Sequence, residues 1–154
     1  MKTIVIGLGN PILGDDGVGW QIARQVQQRS EFPSDIDVDY LSVGGISLME
    51  RLIGYDRAIL IDSFVTNKNP VGTLFCFSLD ELPNRALGHI FSAHDTTLQN
   101  ALKVGQELGA QLPKEITVVA VESQEVYDFS EQLTPAVAAA VPTAVQAIID
   151  LLGG

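Results

Sequence analysis

The run Ile4-Val-Ile-Gly7-Leu-Gly9-Asn10-Pro11-Ile-Leu-Gly14-Asp15-Asp16-Gly17-Val-Gly19 constrains the fold more than any other stretch of this chain. Ile4 to Ile6 form a short β-branched apolar run, the mark of a strand buried on both faces. The loop that follows holds Gly7, Gly9 and Gly14, with Asn10-Pro11 as a turn signal. Asp15 and Asp16 precede Val18, Ile22, Ala23 and Val26, spaced as one face of a helix from Asp16 to about Arg29. Carboxylates in a first helical turn meet its free amides and the positive end of its dipole. Strand, glycine loop and acidic helix start together place a carboxylate at the carboxyl edge of a sheet, where open α/β folds build their sites.

A dinucleotide loop fares badly on the same residues. The fingerprint G-x-G-x-x-G requires a third glycine where this chain has Ile12, and Pro11 removes an amide from the turn. Two acidic side chains stand where a pyrophosphate would have to meet helix amides. The plain alternative is that Asp15 and Asp16 only cap a helix. One cap, however, does not require two acids in so glycine-rich a loop.

The chain's 154 residues describe one domain spanning 1–154. A chain of this length buries about 70% of the surface exposed when unfolded. Hydrophobic content of 46% with a mean hydropathy of +0.23 fits a well-cored globule. Asp and Glu outnumber Lys and Arg by 19 to 9, a formal charge of −10 that argues against nucleic acid or an anionic membrane as partner. Residues 3–6 are too short for a signal peptide, and no stretch reads as long enough for a membrane span, so a cytoplasmic protein is expected. Cys76 stands alone, which excludes an intrachain disulfide and a thiolate cluster.

Along the chain, Ile36, Val38, Tyr40 and Leu41 suggest a second strand, half exposed through Asp37 and Asp39. Gly44-Gly45 breaks it, and Ile46–Ile53 reads as a short helix with Leu48, Met49 and Leu52 inward. Ala58-Ile-Leu-Ile61 is another buried run, ending at Asp62. Gly72–Ser78 suggests an antiparallel edge strand, with Cys76 as a small core residue. Residues 79–88 are irregular. His94 then precedes a helical pattern of Leu98, Leu102, Val104 and Leu108. Ile116–Val121 is the last buried strand, followed by an acidic loop over 122–132. Thr134-Pro135 starts a closing helix through Val137, Val141, Ala144, Ile148 and Leu151, with Pro142 expected to kink it. This alternation predicts an α/β fold: a mostly parallel twisted sheet, helices on both faces, one antiparallel edge strand.

Asp16, Asp62 and His94 are thereby drawn to one sheet edge. Two carboxylates and an imidazole can bind a borderline divalent metal such as Zn²⁺ or Ni²⁺ and leave positions open for another ligand. Taken singly, each has an ordinary reading: Asp16 as a cap, Asp62 as a strand-end acceptor, His94 as a cap or core residue. His89 is given no role. Ser63 and Ser92 flank candidate loops, but no G-x-S-x-G elbow is present, and the histidines compose no triad.

The motif GLGNPILGDDGVG followed by a helix resembles the opening signature of the NiFe-hydrogenase maturation endopeptidases. The similarity continues through Gly44-Gly45, the strand ending in Asp62, the Ser-Ala-His94 loop and Leu133-Thr-Pro-Ala-Val137. This resemblance implies an α/β protease, a monomer, that cuts a C-terminal peptide from the hydrogenase large-subunit precursor after nickel insertion. It implies catalytic and metal-contacting roles for Asp16, Asp62 and His94, with nickel supplied by the substrate and zinc or cadmium able to substitute in vitro. Two departures stand out: Asp16 replaces the family's longer Glu, and Val43 replaces an acid that several relatives carry before the paired glycines. Val43 is the one feature favouring a non-catalytic, metal-sensing maturation chaperone. A nucleotide-binding regulator is opposed by Ile12 and the acidic loop.

Overall fold

Strand β1 (Thr3–Leu8) is buried at every residue, as its unbroken apolar run requires. It lies inside a sheet ordered β2-β1-β3-β5-β4, with β2 at Asp37–Leu41, β3 at Arg57–Phe64, β4 at Leu74–Ser78 and β5 at Glu115–Glu122. The computed structural model describes residues 1–81, 97–125 and 128–153. β2, β1, β3 and β5 run parallel, whereas β4 pairs antiparallel with β5 rather than with β3, its predecessor in the chain.

Four helices cover the sheet among the described residues: α1 (Val18–Gln28), α2 (Gly45–Leu52), α3 (Leu98–Glu107) and α4 (Pro135–Gly153). Alternation along the strands divides the core in two. Ile4, Ile6, Ala58, Leu60 and Phe64 pack with Leu48 and Leu52 of α2 and with Leu98 of α3. Val5, Ile59 and Ile61 pack with Ile22 and Val26 of α1 and with Val141 and Ile148 of α4. The expected doubly covered sheet is therefore present.

Several details differ from the sequence reading. The first α-helix does not begin at Asp16. A 3-10 turn over Gly14–Gly17 carries both aspartates, and α1 starts only at Val18. β3 does not stop before Asp62 but continues to Phe64, so Asp62 is a strand residue. Cys76 is exposed, because β4 is an edge strand and turns Phe75 and Phe77 toward the core instead. In α3 the inward residues are Leu98, Ala101 and Gly105, leaving Val104 and Leu108 exposed. A Cβ at Gly105 would lie 2.8 Å from the sulfur of Met49, so small residues there let α3 close onto α2.

The closing helix also corrects an expectation. α4 is long and apolar enough, by length and composition, to cross a membrane. Here its Val137, Val141, Ala144, Val145, Ile148 and Ile149 are buried against the sheet and α1. Pro142 falls inside α4, which runs unbroken from Pro135 to Gly153. Both Pro142 and Ala138, whose carbonyl loses its usual partner, are exposed, and water can satisfy that carbonyl.

Candidate active site

Two backbone contacts bring α1 and its leading turn onto the sheet. At Gly19 a Cβ would lie 2.4 Å from the carbonyl oxygens of both Ile61 and Leu8, so the helix meets β1 and β3 backbone to backbone. At Gly9, with φ +138°, a Cβ would lie 1.9 Å from the carbonyl oxygen of Asp16. No other residue type fits either place. The loop is therefore folded tightly over the carboxyl end of β1, and Asp16 is delivered there.

This is also where the sheet changes direction of winding. β1 is flanked by β2 on one side and β3 on the other, and the connections through α1 and α2 leave on opposite faces. Such switch points open a crevice beyond the strand ends. Gly7 is in register with Ile61 and Asp62 with Ala120. Asp62 thus stands level with the exit of β1, one loop away from Asp16.

The two neighbouring aspartates are sorted into different tasks. Asp15 is fully buried and turned toward the far end of the chain. Its Oδ1 accepts from the Thr134 backbone N–H at 2.7 Å. Its Oδ2 accepts from the Thr134 hydroxyl at 2.8 Å and from the Gln124 N–H at 3.2 Å. Thr134 immediately precedes α4, so this carboxylate sits at the positive end of that helix's dipole. At the other end of α4, the Arg57 guanidinium donates to the Leu151 carbonyl at 2.7 Å, the matching charge for the negative end. Gly14 N–H to Ser130 O (2.7 Å) and Ser130 N–H to Ile12 O (2.8 Å) stitch the same loops together. Asp15 is a structural tie across the site's rim. Asp15→Ala is expected to remove three charge-assisted bonds at once and to cost about 3 kcal/mol, read as a fall of about 6–12 °C in a thermal melt.

Asp16 faces the other way. Its Oδ2 accepts from the Asn10 N–H at 2.9 Å and its Oδ1 from the Ser63 hydroxyl at 3.3 Å. The N-cap residues of the 3-10 turn and of α1, Leu13 and Gly17, make no side-chain cap hydrogen bond. Asp62 is wholly buried, and its Oδ1 accepts from the Ser63 N–H at 2.8 Å. Alternation puts Asp62 on the same sheet face as Leu60 and Phe64, the face covered by α2 and α3. Ser63 lies between the two acids, engaging one by its backbone and the other by its hydroxyl. Sequence reading passed over it because it sought a triad, for which no partner histidine was at hand.

His94 and His89 lie outside the described residues. Thr97 caps α3 by accepting from the Asn100 N–H at 3.2 Å. Among the described residues no group of three His, Cys, Asp or Glu side chains gathers to hold a metal; Asp16 and Asp62 are the described members of the expected set. Ionised carboxylate oxygens are ligands of divalent ions. The other acids near the strand ends are tied elsewhere. Glu122 accepts from both the N–H and the hydroxyl of Thr66. On β2, Asp39 pairs with Arg51 and holds that guanidinium above its ordinary pKa, with Tyr55 adding to the effect.

A model of the hydrogenase maturation proteases matches residues 20–151. The chain belongs to that family. It is a peptidase, in agreement with the resemblance of its opening motif. The hydrogenase 2 maturation protease of Escherichia coli is 29% identical over 154 residues, covering 99% of this protease and 91% of that protein. Among solved structures, the E. coli hydrogenase maturating endopeptidase HybD superposes with a TM-score of 0.79 at 28% identity, covering 99% of this chain and 92% of that one. A hydrogenase 2 maturation peptidase from a Thaumarchaeota archaeon gives 0.71 at 26% identity, covering 99% of each chain. The mostly parallel α/β fold, with one antiparallel pair among the described strands, thus matches the fold of these relatives.

Proposed function

We propose that this protease is a nickel-directed endopeptidase that removes the C-terminal peptide from a NiFe-hydrogenase large-subunit precursor after metal insertion. The observation that supports the reading is that Ser63, near the carboxyl end of β3, donates its N–H to Asp62 and its hydroxyl to Asp16. Nickel arrives as part of the substrate, in the precursor's own metal site. Asp16 and Asp62, with His94, complete its coordination and hold the scissile segment in register. A water activated by the metal or by a carboxylate adds to the peptide carbonyl; the C–N bond breaks and the departing amine takes up the proton. Cutting only metal-loaded precursor makes the step a check on nickel insertion. The protease works as a monomer in the cytoplasm.

The test is to incubate the protease with nickel-loaded and nickel-free precursor and to weigh the products. Cleavage of the loaded form alone is expected; equal cleavage of both would remove nickel from the mechanism. The isolated protease is expected to bind divalent metal weakly, because three ligands with open positions make no closed cage. Calorimetry giving tight, stoichiometric, chelator-resistant zinc would indicate a self-sufficient metalloprotease instead. One observation favours a second reading. Val43, beside Gly44-Gly45, is 46% exposed and offers no acid there, as a non-catalytic metal-sensing chaperone would allow. Nickel-loaded precursor bound but uncut would establish that role.

A further inference from the structure

Ser63 is a polar residue on an otherwise apolar face. Ile59, Ile61 and Ser63 alternate along β3 toward α1 and α4, and the first two are wholly buried. Ser63 itself is 4% exposed. A hydroxyl in such a place costs stability unless it is hydrogen-bonded, and alanine or valine would fill the strand position without that demand. The described partner of this hydroxyl is Asp16 Oδ1, at 3.3 Å. The opposite oxygen, Oδ2, is taken by the Asn10 N–H. Held at both oxygens, the Asp16 carboxylate has its plane set by the protein before any ligand arrives. The hydroxyl contact is long for an O–H···O bond. Through its N–H, the same residue also fixes Asp62 Oδ1.

We propose that Ser63 is a positioning residue that orients the Asp16 carboxylate for metal ligation and sets its geometry relative to Asp62. The inference rests on the reading above that Asp16 contacts metal. Partners that orient a ligating carboxylate are commonly worth 10- to 100-fold in affinity, whereas a hydroxyl that merely satisfies itself would leave metal binding unchanged.

The experiment is calorimetric titration of the isolated protease with Zn²⁺ alone, run on wild type, Ser63→Ala, Ser63→Thr, Asp16→Asn and the double variant Asp16→Asn/Ser63→Ala. Ser63→Ala is expected to weaken zinc binding about 10- to 100-fold with its melt nearly unmoved. Ser63→Thr, which keeps the hydroxyl, is expected to recover most of the loss. The double variant is expected to bind no more weakly than Asp16→Asn, because Ser63 acts through Asp16. If Asp16→Asn weakens binding and Ser63→Ala does not, the role given to Ser63 is overturned while the metal site stands. If Asp16→Asn itself changes nothing, the metal reading fails first. A loss on Ser63→Ala that persists in the Asp16→Asn background would also overturn the proposal.

Discussion

Gly19→Ala is expected to destabilise the protein by about 4 kcal/mol or more, a fall of about 8–16 °C in Tm for a chain of this size. The added methyl would meet two carbonyl oxygens at 2.4 Å, about an ångström inside ordinary contact. Both belong to the backbones of central strands, so neither can swing aside as a side-chain tip would. The helix must withdraw instead, loosening Ile22, Ala23 and Val26 from the core and carrying Asp16 with it. Cleavage should fail in the same variant. Gly153→Ala, where a Cβ meets nothing within 4 Å, is the control and is expected to change stability by less than about 1 kcal/mol. Equal melts for the two variants would mean that α1 is not held at backbone distance.

Asp16→Asn is expected to abolish precursor cleavage while leaving the melt almost unchanged. The amide is nearly isosteric, so its oxygen can still accept from the Asn10 N–H and its nitrogen can donate to the Ser63 hydroxyl, reversing that bond's direction. What disappears is the charge that a divalent ion requires. Losing several kcal/mol of such stabilisation slows turnover more than about a hundredfold. His94→Ala, which removes the imidazole proposed as a nitrogen ligand, should behave alike. Asp16→Glu, which keeps the charge on a chain one methylene longer, should retain part of the activity. The readout is product mass from nickel-loaded precursor, with a melt of each variant. Normal cutting by both Asp16→Asn and His94→Ala would reduce these residues to structural roles.

The placement of Asp16 was legible because close-packed glycines and a buried strand leave one course for the chain. A run such as Ala58–Ile61 between polar borders likewise announces a central strand, though not that it continues through Asp62 to Phe64. The divergence of Asp15 from Asp16 was not legible. Asp15's partner Thr134 lies 119 residues away, and no local pattern encodes a hydrogen bond over that separation. Cys76 was misplaced for a related reason: alternation gives two faces to an edge strand but does not say which one the core covers. In α3, Ala101 and Gly105 form the inner face, and small residues leave almost no hydrophobic periodicity to detect. Val104 and Leu108 drew the reading to the wrong side. His94 was named from its loop and falls outside the described residues, so the pair of carboxylates is the part of the site tied to geometry.

The insertion of β5 between β3 and β4 sets the order in which the protein can complete itself during synthesis. Once β1, β2 and β3 have emerged, one side of β3 still lacks its neighbour, since β5 supplies it residue for residue from Arg57↔Glu115 to Phe64↔Glu122. Glu122 lies 58 positions beyond Phe64, and at roughly 5–20 residues per second the ribosome needs about 3–12 s to reach it. β4 emerges within that interval with no strand to pair with, because its partner is also β5. An apolar strand edge thus waits open on every nascent chain. Truncation anywhere before β5 would leave it open permanently, and fragments of this kind should depend on chaperones or aggregate.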